Sequence, residues 1–131
     1  MKLFAIHCLT LFAIVLNLPT VVADEISAEV RAIIESQAAA NKGKALYLIN
    51  CQQCHDADGR ALANIDVVAA DLTNPSAWAY GTEPINIFNN IKQGAGLSMP
   101  AFKDTLSDSD IWHIVAHILN IGPPATRPPN P

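Results

Sequence analysis

The stretch Cys51-Gln52-Gln53-Cys54-His55 decides how the rest of the chain is read. Cys-x-x-Cys-His is the attachment pattern of a covalently bound c-type haem. Two thiols three positions apart reach the two vinyl groups on one porphyrin edge, and the adjacent imidazole reaches the iron from the proximal side. With 3 cysteines and 4 histidines in 131 residues, the pattern arises by chance in roughly two of a thousand chains of this composition. A thioredoxin-like dithiol would need a βαβ context, and a zinc site a second ligand pair. Neither is found: the remaining cysteine is Cys8, and no second Cys-x-x-Cys occurs.

A haem iron with one open position binds outside ligands, whereas a second protein ligand restricts it largely to electron transfer. Beyond the N-terminal segment the candidates are Met99, His113 and His117. Met99 lies in Gly94-Ala95-Gly96-Leu97-Ser98-Met99-Pro100, read as a flexible loop between two helices from which a thioether swings over the distal face. A methionine is commonly a core gap-filler. Beside Cys-x-x-Cys-His it is expected to be the sixth ligand, since a soft thioether favours ferrous iron. His113 and His117 stand four apart on a helix without a third ligand. His117 shares a face with Ile114 and Ile118 and reads as a packed ring, His113 as a surface residue.

The ends of the chain set the compartment. Residues 1–23 read as a secretory signal, with Lys2, an apolar stretch from Leu3 to Leu18 and a Val21-Val22-Ala23 cleavage site. The stretch is shorter than the roughly 20 residues of a membrane span, so membrane attachment is expected only if the signal is not cleaved. The expected location is the periplasm. Of 8 basic and 12 acidic residues, cleavage removes only Lys2, leaving a net charge of about −5 and no basic patch for nucleic acid. Residues 123–131 form a proline-rich tail, read as disordered.

Between the ends the pattern is helical throughout, and nothing reads as a βαβ unit, so the fold class is all-α. Residues 24–40 carry Ile26, Val30, Ile33 and Ile34 near helical spacing and read as an N-terminal helical extension. Residues 41–122 make the main domain. There, Lys42 to Gln53 is expected to form the helix that delivers Cys51. Asp56 to Thr73 reads as a loop round the cofactor edge, its run Ile65 to Val68 too short for a strand. Thr82 is expected to cap a helix with Pro84 in its first turn and Ile85, Phe88 and Ile91 facing the core. Ser107 caps the last helix, with Asp110 at its third position and Leu106 and Ile111 as a hydrophobic staple.

Taken together, these residues resemble the class I c-type cytochromes over about 41–121. Gly43, Tyr47 and Cys51 look like that family's first helix, where glycine admits the last helix and an aromatic packs at the crossing. Ile114, His117 and Ile118 match the facing contact, with His117 where the family usually has Tyr or Phe. Met99-Pro100-Ala101-Phe102 resembles the distal methionine segment, and Ala70-Asp71-Leu72-Thr73 the proximal loop, with Leu72 packed near the haem. Two departures stand out: Asp56 replaces the frequent glycine after the histidine, and Ala70 replaces the proline whose carbonyl accepts the proximal Nδ1 proton. An early Cys-x-x-Cys-His is also unlike cytochrome c′, which carries it near the C-terminus.

The resemblance implies about four helices wrapped round one covalent haem c. It implies Cys51 and Cys54 as its attachment, His55 and Met99 as its axial iron ligands, and Leu72 and Trp78 as further haem contacts, the Trp78 indole donating to a propionate. The expected function is a soluble periplasmic one-electron carrier, not an enzyme, between a dehydrogenase or respiratory complex and a terminal acceptor. The alternatives are a haem subunit fixed on a dehydrogenase, with residues 25–40 as its docking element, and a gas-binding or peroxidatic haem protein with Met99 off the iron.

Overall fold

In the computed structural model, which describes residues 26–63 and 66–123, helices α1 (Ala28–Glu35), α2 (Gln37–Asn50), α3 (Gln52–His55), α4 (Pro84–Gln93) and α5 (Asp108–Ile121) follow one another, with a 3₁₀ turn at Pro75–Ala77. The all-α expectation holds: β pairing among the described residues is confined to an isolated bridge between Ala95 and Met99. The expected signal segment and the tail beyond Pro123 lie outside the described residues.

Serine hydroxyls set the first boundaries. Ser27 accepts from the Val30 N–H to start α1, and Ser36, in an extended conformation, both ends α1 and caps α2 through the Ala39 N–H. The expected boundary at residue 40 therefore falls inside α2, which starts at Gln37 and ends at Asn50 instead of running to Gln53. A serine side chain satisfies an orphan N–H where an alanine-rich pattern shows no break.

α4 corrects the expected Thr82 cap. Glu83 is the N-cap, and its carbonyl accepts from Asn86 and Ile87 with no side-chain cap. Proline at the first helical position holds the residue before it extended, which moves the cap to Glu83. The buried stripe is Ile87, Phe88 and Ile91, with Ile85 only partly covered. Ser107 caps α5 as expected, accepting from the Asp110 N–H at 3.1 Å and donating to its carboxylate at 2.7 Å. Lys42 reaches the same carboxylate, and Lys92 that of Asp108.

α5 is the centre of the molecule, buried from Ile111 to Leu119 except at His113. α2 crosses it at Gly43, where a Cβ would lie 1.8 Å from the His113 carbonyl oxygen, so only glycine lets the backbones approach this closely. Tyr47, fully buried one turn later, meets the His117 ring edge to face at 5.0 Å. α1 and α4 also pack on α5, and Trp112 stacks on Phe88 at 4.3 Å. No helix among the described residues is long and apolar enough to cross a membrane.

Candidate functional site

The two cysteines sit where one helix stops and a single turn begins. The Cys51 N–H donates to the Tyr47 carbonyl at 2.8 Å, closing α2, and the Cys51 carbonyl then accepts from Cys54 and His55. Both thiols are free and half-buried. Burial, with the Cys54 thiol beside it, pushes the Cys51 thiol up to about 11.

His55 is oriented by the backbone. Its Nδ1 lies 2.9 Å from the Ala70 carbonyl oxygen. A carbonyl can only accept, so the ring proton sits on Nδ1 and the Nε2 lone pair is left for a metal. Ala70 thus supplies the backbone acceptor that the family resemblance places at this position.

The proximal loop is tied together by polar side chains. The Tyr47 hydroxyl donates to the Asp56 carbonyl at 2.7 Å and lies 3.3 Å from that of His55. Burial, then the neighbouring Cys51 thiol and the Asp56 and Asp58 carboxylates, pushes the phenol up, so it stays a donor. The Gly59 carbonyl accepts from the Leu72 N–H at 2.7 Å. Gly59 has φ +84°, and a Cβ there would lie 2.7 Å from Ile121 Cδ1. Asp71 accepts from the Thr73 hydroxyl and N–H, and the hydroxyl foremost holds its carboxyl below the usual range.

Trp78 does not take the expected part. Its Nε1–H donates to the Asp71 carbonyl at 2.8 Å. An indole has a single donor, so this N–H pins the backbone between Ala70 and Leu72 and is not available to a propionate. Leu72, Trp78, Met99 and Cys51 all pack, partly buried, against the same apolar core.

The distal segment is tighter than a freely swinging loop. Ala95 and Met99 exchange both backbone hydrogen bonds, at 3.2 and 3.3 Å, and the chain is then docked on the end of α4 by Phe102 N–H to Ile91 and Lys103 N–H to Lys92. Gly94, at φ +82°, starts this turn, and a Cβ there would lie 2.7 Å from the Met99 carbonyl oxygen. The turn holds Met99 half-buried at the core edge, while Leu97 is fully exposed.

The other histidines are placed elsewhere. His117 is buried in the α2–α5 crossing, 6% exposed, and its Nε2 has no partner among the described residues. Burial, and to a lesser degree Lys44, lowers its pKa. His113 is half-buried, and its Nδ1 meets the Ser109 carbonyl in an exposed contact. Among the described residues no group of three or more His, Cys, Asp or Glu could hold a metal ion. Two free thiols and an oriented imidazole with one open nitrogen fit a thioether-bound haem.

Comparison with known proteins agrees. The family model described as cytochrome c oxidase, cbb3-type, subunit III matches residues 38–118. A cbb3-type cytochrome c oxidase subunit CcoP of Azospirillum brasilense is 33% identical over 87 residues, covering 65% of this chain and 29% of that protein. A CcoP subunit of Helicobacter pylori (strain 52) is 38% identical over 87 residues, covering 63% and 28%. The chain thus spans less than a third of the length of these relatives. Among solved structures it is similar to cytochrome CL of Methylophaga aminisulfidivorans, with TM-score 0.57, 20% identity and coverage of 66% and 55%. It is also similar to a chain of the Kuenenia stuttgartiensis reducing HAO-like protein complex, with TM-score 0.61, 20% identity and coverage of 68% and 46%. At these identities the structures speak for the fold alone.

Proposed function

The chain belongs to the cytochrome c family typified by subunit III of cbb3-type cytochrome c oxidases, a family of covalent haem c proteins of electron transfer, and from that premise we propose that it is a periplasmic one-electron carrier with His55 and Met99 as axial ligands. Bound haem supplies an iron that takes up and releases a single electron. Cys51 and Cys54 tether it from one helical turn. His55 offers Nε2 to the iron while the Ala70 carbonyl holds the Nδ1 proton at 2.9 Å. Met99 is presented by its closed turn, and Leu72 supplies apolar cover on the proximal side. Ligands held by rigid backbone need little rearrangement when the charge on the iron changes.

The observation that carries this reading is the His55 ring, fixed by a backbone acceptor directly after two free cysteines. The test is the absorption spectrum of the haem-loaded, oxidised protein and of its Met99→Ala variant. A weak far-red charge-transfer band reports sulfur on ferric haem. Present in the parent and absent from the variant, it makes Met99 the sixth ligand. A parent without the band, whose reduced form binds carbon monoxide, sinks the carrier reading and favours a gas-binding or peroxidatic site.

A second reading, a haem subunit held permanently on an oxidoreductase complex, is favoured by the relatives, which are oxidase subunits by name. The buried face of α1 counts against residues 25–40 as its docking element, since Ile34 is buried and Ile26, Val30 and Ile33 pack on the molecule's own core. Native-size purification separates the two: a monodisperse monomer supports the carrier, and a stable larger assembly the subunit.

A further inference from the structure

Asp56 follows His55 with φ 59° and ψ 167°. Glycine enters that corner of the backbone map freely, whereas other residues are found there only when their surroundings hold them. A glycine would make the same turn without strain, so the conformation by itself gives no reason for a carboxylate. The reason lies in what the carboxylate holds. Asp56 Oδ2 accepts from the N–H groups of Leu62 at 2.6 Å and Ala63 at 2.9 Å, closing the loop of residues 56–63 across its mouth. The Asp56 carbonyl accepts from the Tyr47 hydroxyl, and the Ala61 N–H donates to the His55 carbonyl at 3.2 Å. The closed loop is joined through the Gly59 carbonyl to Leu72, two residues beyond the Ala70 carbonyl that meets His55 Nδ1. Asp56 is therefore linked to the proximal ligand twice, by the peptide bond and through the acceptor that orients its ring.

We propose that Asp56 is a positioning residue for His55: its carboxylate closes the loop that presents the Ala70 carbonyl and puts a negative charge on the residue next to the proximal ligand, lowering the reduction potential. The inference rests on one part of the function proposed above, a haem bound at Cys51 and Cys54 with His55 on its iron. A fixed negative charge stabilises the more positive oxidised iron. A hydrogen-bonded Nδ1–H makes the imidazole a stronger donor, which acts in the same direction.

Two variants of the haem-loaded protein test it. Asp56→Asn keeps an oxygen acceptor for the loop and removes the charge. Asp56→Gly relieves the strained turn and removes both. Midpoint potentials are taken by spectroelectrochemical titration at one pH, and the His55 ring resonances are followed by paramagnetic NMR. In Asp56→Asn the ferrous form should be favoured about threefold at fixed poise, ~30 mV for a one-electron couple. In Asp56→Gly the potential should rise at least as far, and the His55 resonances should broaden or double because the loop no longer holds one orientation. A potential in Asp56→Asn equal to or below that of the parent overturns the proposal. Should Asp56→Gly fail to retain haem, the Asn variant decides alone. A parent lacking the far-red sulfur band sinks the carrier reading and leaves this inference standing, since His55 and its Nδ1 partner are the same whatever faces them.

Discussion

The crossing of α2 and α5 and the segments that carry the proposed ligands, His55 and Met99, are held in opposite ways. At the crossing, Tyr47, Ile111, Ile114 and Val115 are wholly buried round one glycine, and side-chain packing makes the contact. Among the described residues of 56–78, Gly59 alone is fully buried, and none is in 94–103. There the chain is held by polar side chains and by backbone hydrogen bonds: Asp56, Asp71, Tyr47 and Trp78 on the proximal side, the Ala95–Met99 pair on the distal side. Packing density and ligand geometry are thus separated in the molecule. A change at the crossing should cost stability without altering ligation, and a change in a loop should alter ligation at a smaller cost in stability.

The largest expected effect is at Gly43. A Cβ 1.8 Å from the His113 carbonyl oxygen forces the two helix backbones apart, and Gly43→Ala should lose about 3 kcal/mol, at the upper end of overpacking costs. Denaturant unfolding of the haem-loaded protein measures it. The fraction that folds should keep the far-red sulfur band at parental strength per haem. Loss of the band with stability intact would break the separation.

Gly94→Ala is the complementary case in the distal turn. The residue has φ +82° and ψ 162°, and its new Cβ would lie 2.7 Å from the Met99 carbonyl oxygen. Strain of this kind costs about 2 kcal/mol, less than the change at Gly43. The sulfur band should weaken or disappear, because the turn that presents Met99 must open. A variant with the parental band and unfolding midpoint would show that the turn does not position Met99.

The two regions also differ in how far the sequence discloses them. Cys51, Cys54 and His55 stand out as candidates because haem attachment is a local pattern, and Met99 because it is the single methionine beyond the expected signal. Gly43 and Tyr47 are legible through one helical period. The proximal loop is placed only by the family resemblance, which puts Ala70 where the acceptor carbonyl belongs. The acceptor for His55 is the Ala70 backbone, which every residue carries, and the strain at Asp56 has no signature beyond the absence of the usual glycine. The family resemblance points Trp78 at a propionate, but a nearby carbonyl takes its one donor, a competition that only tertiary structure decides. The break at Ser36 is hidden for a related reason: an apolar period running through alanines does not show where a hydroxyl caps.

His117 sharpens the comparison from inside the packed region, with the smallest effect. Its Nε2 is buried without a partner among the described residues, beside Tyr47 and with Lys44 as the charged group that acts on it. Burial lowers its folded pKa below the ordinary 6.5. Between the two values the unfolded chain binds a proton that the folded chain refuses, so stability falls as pH drops through the ordinary histidine range and levels off only below the folded pKa. His117→Phe removes the orphan nitrogen and should gain about 1 kcal/mol at neutral pH. It should also flatten the histidine part of the stability profile between neutrality and mild acid, leaving the sulfur band and the midpoint potential unchanged. Unfolding curves at several pH values check the first two points and a redox titration the last. A shifted potential would mean that the crossing tunes the iron after all, through the Tyr47 hydroxyl and the backbone of His55, and the two regions would then have to be treated as one.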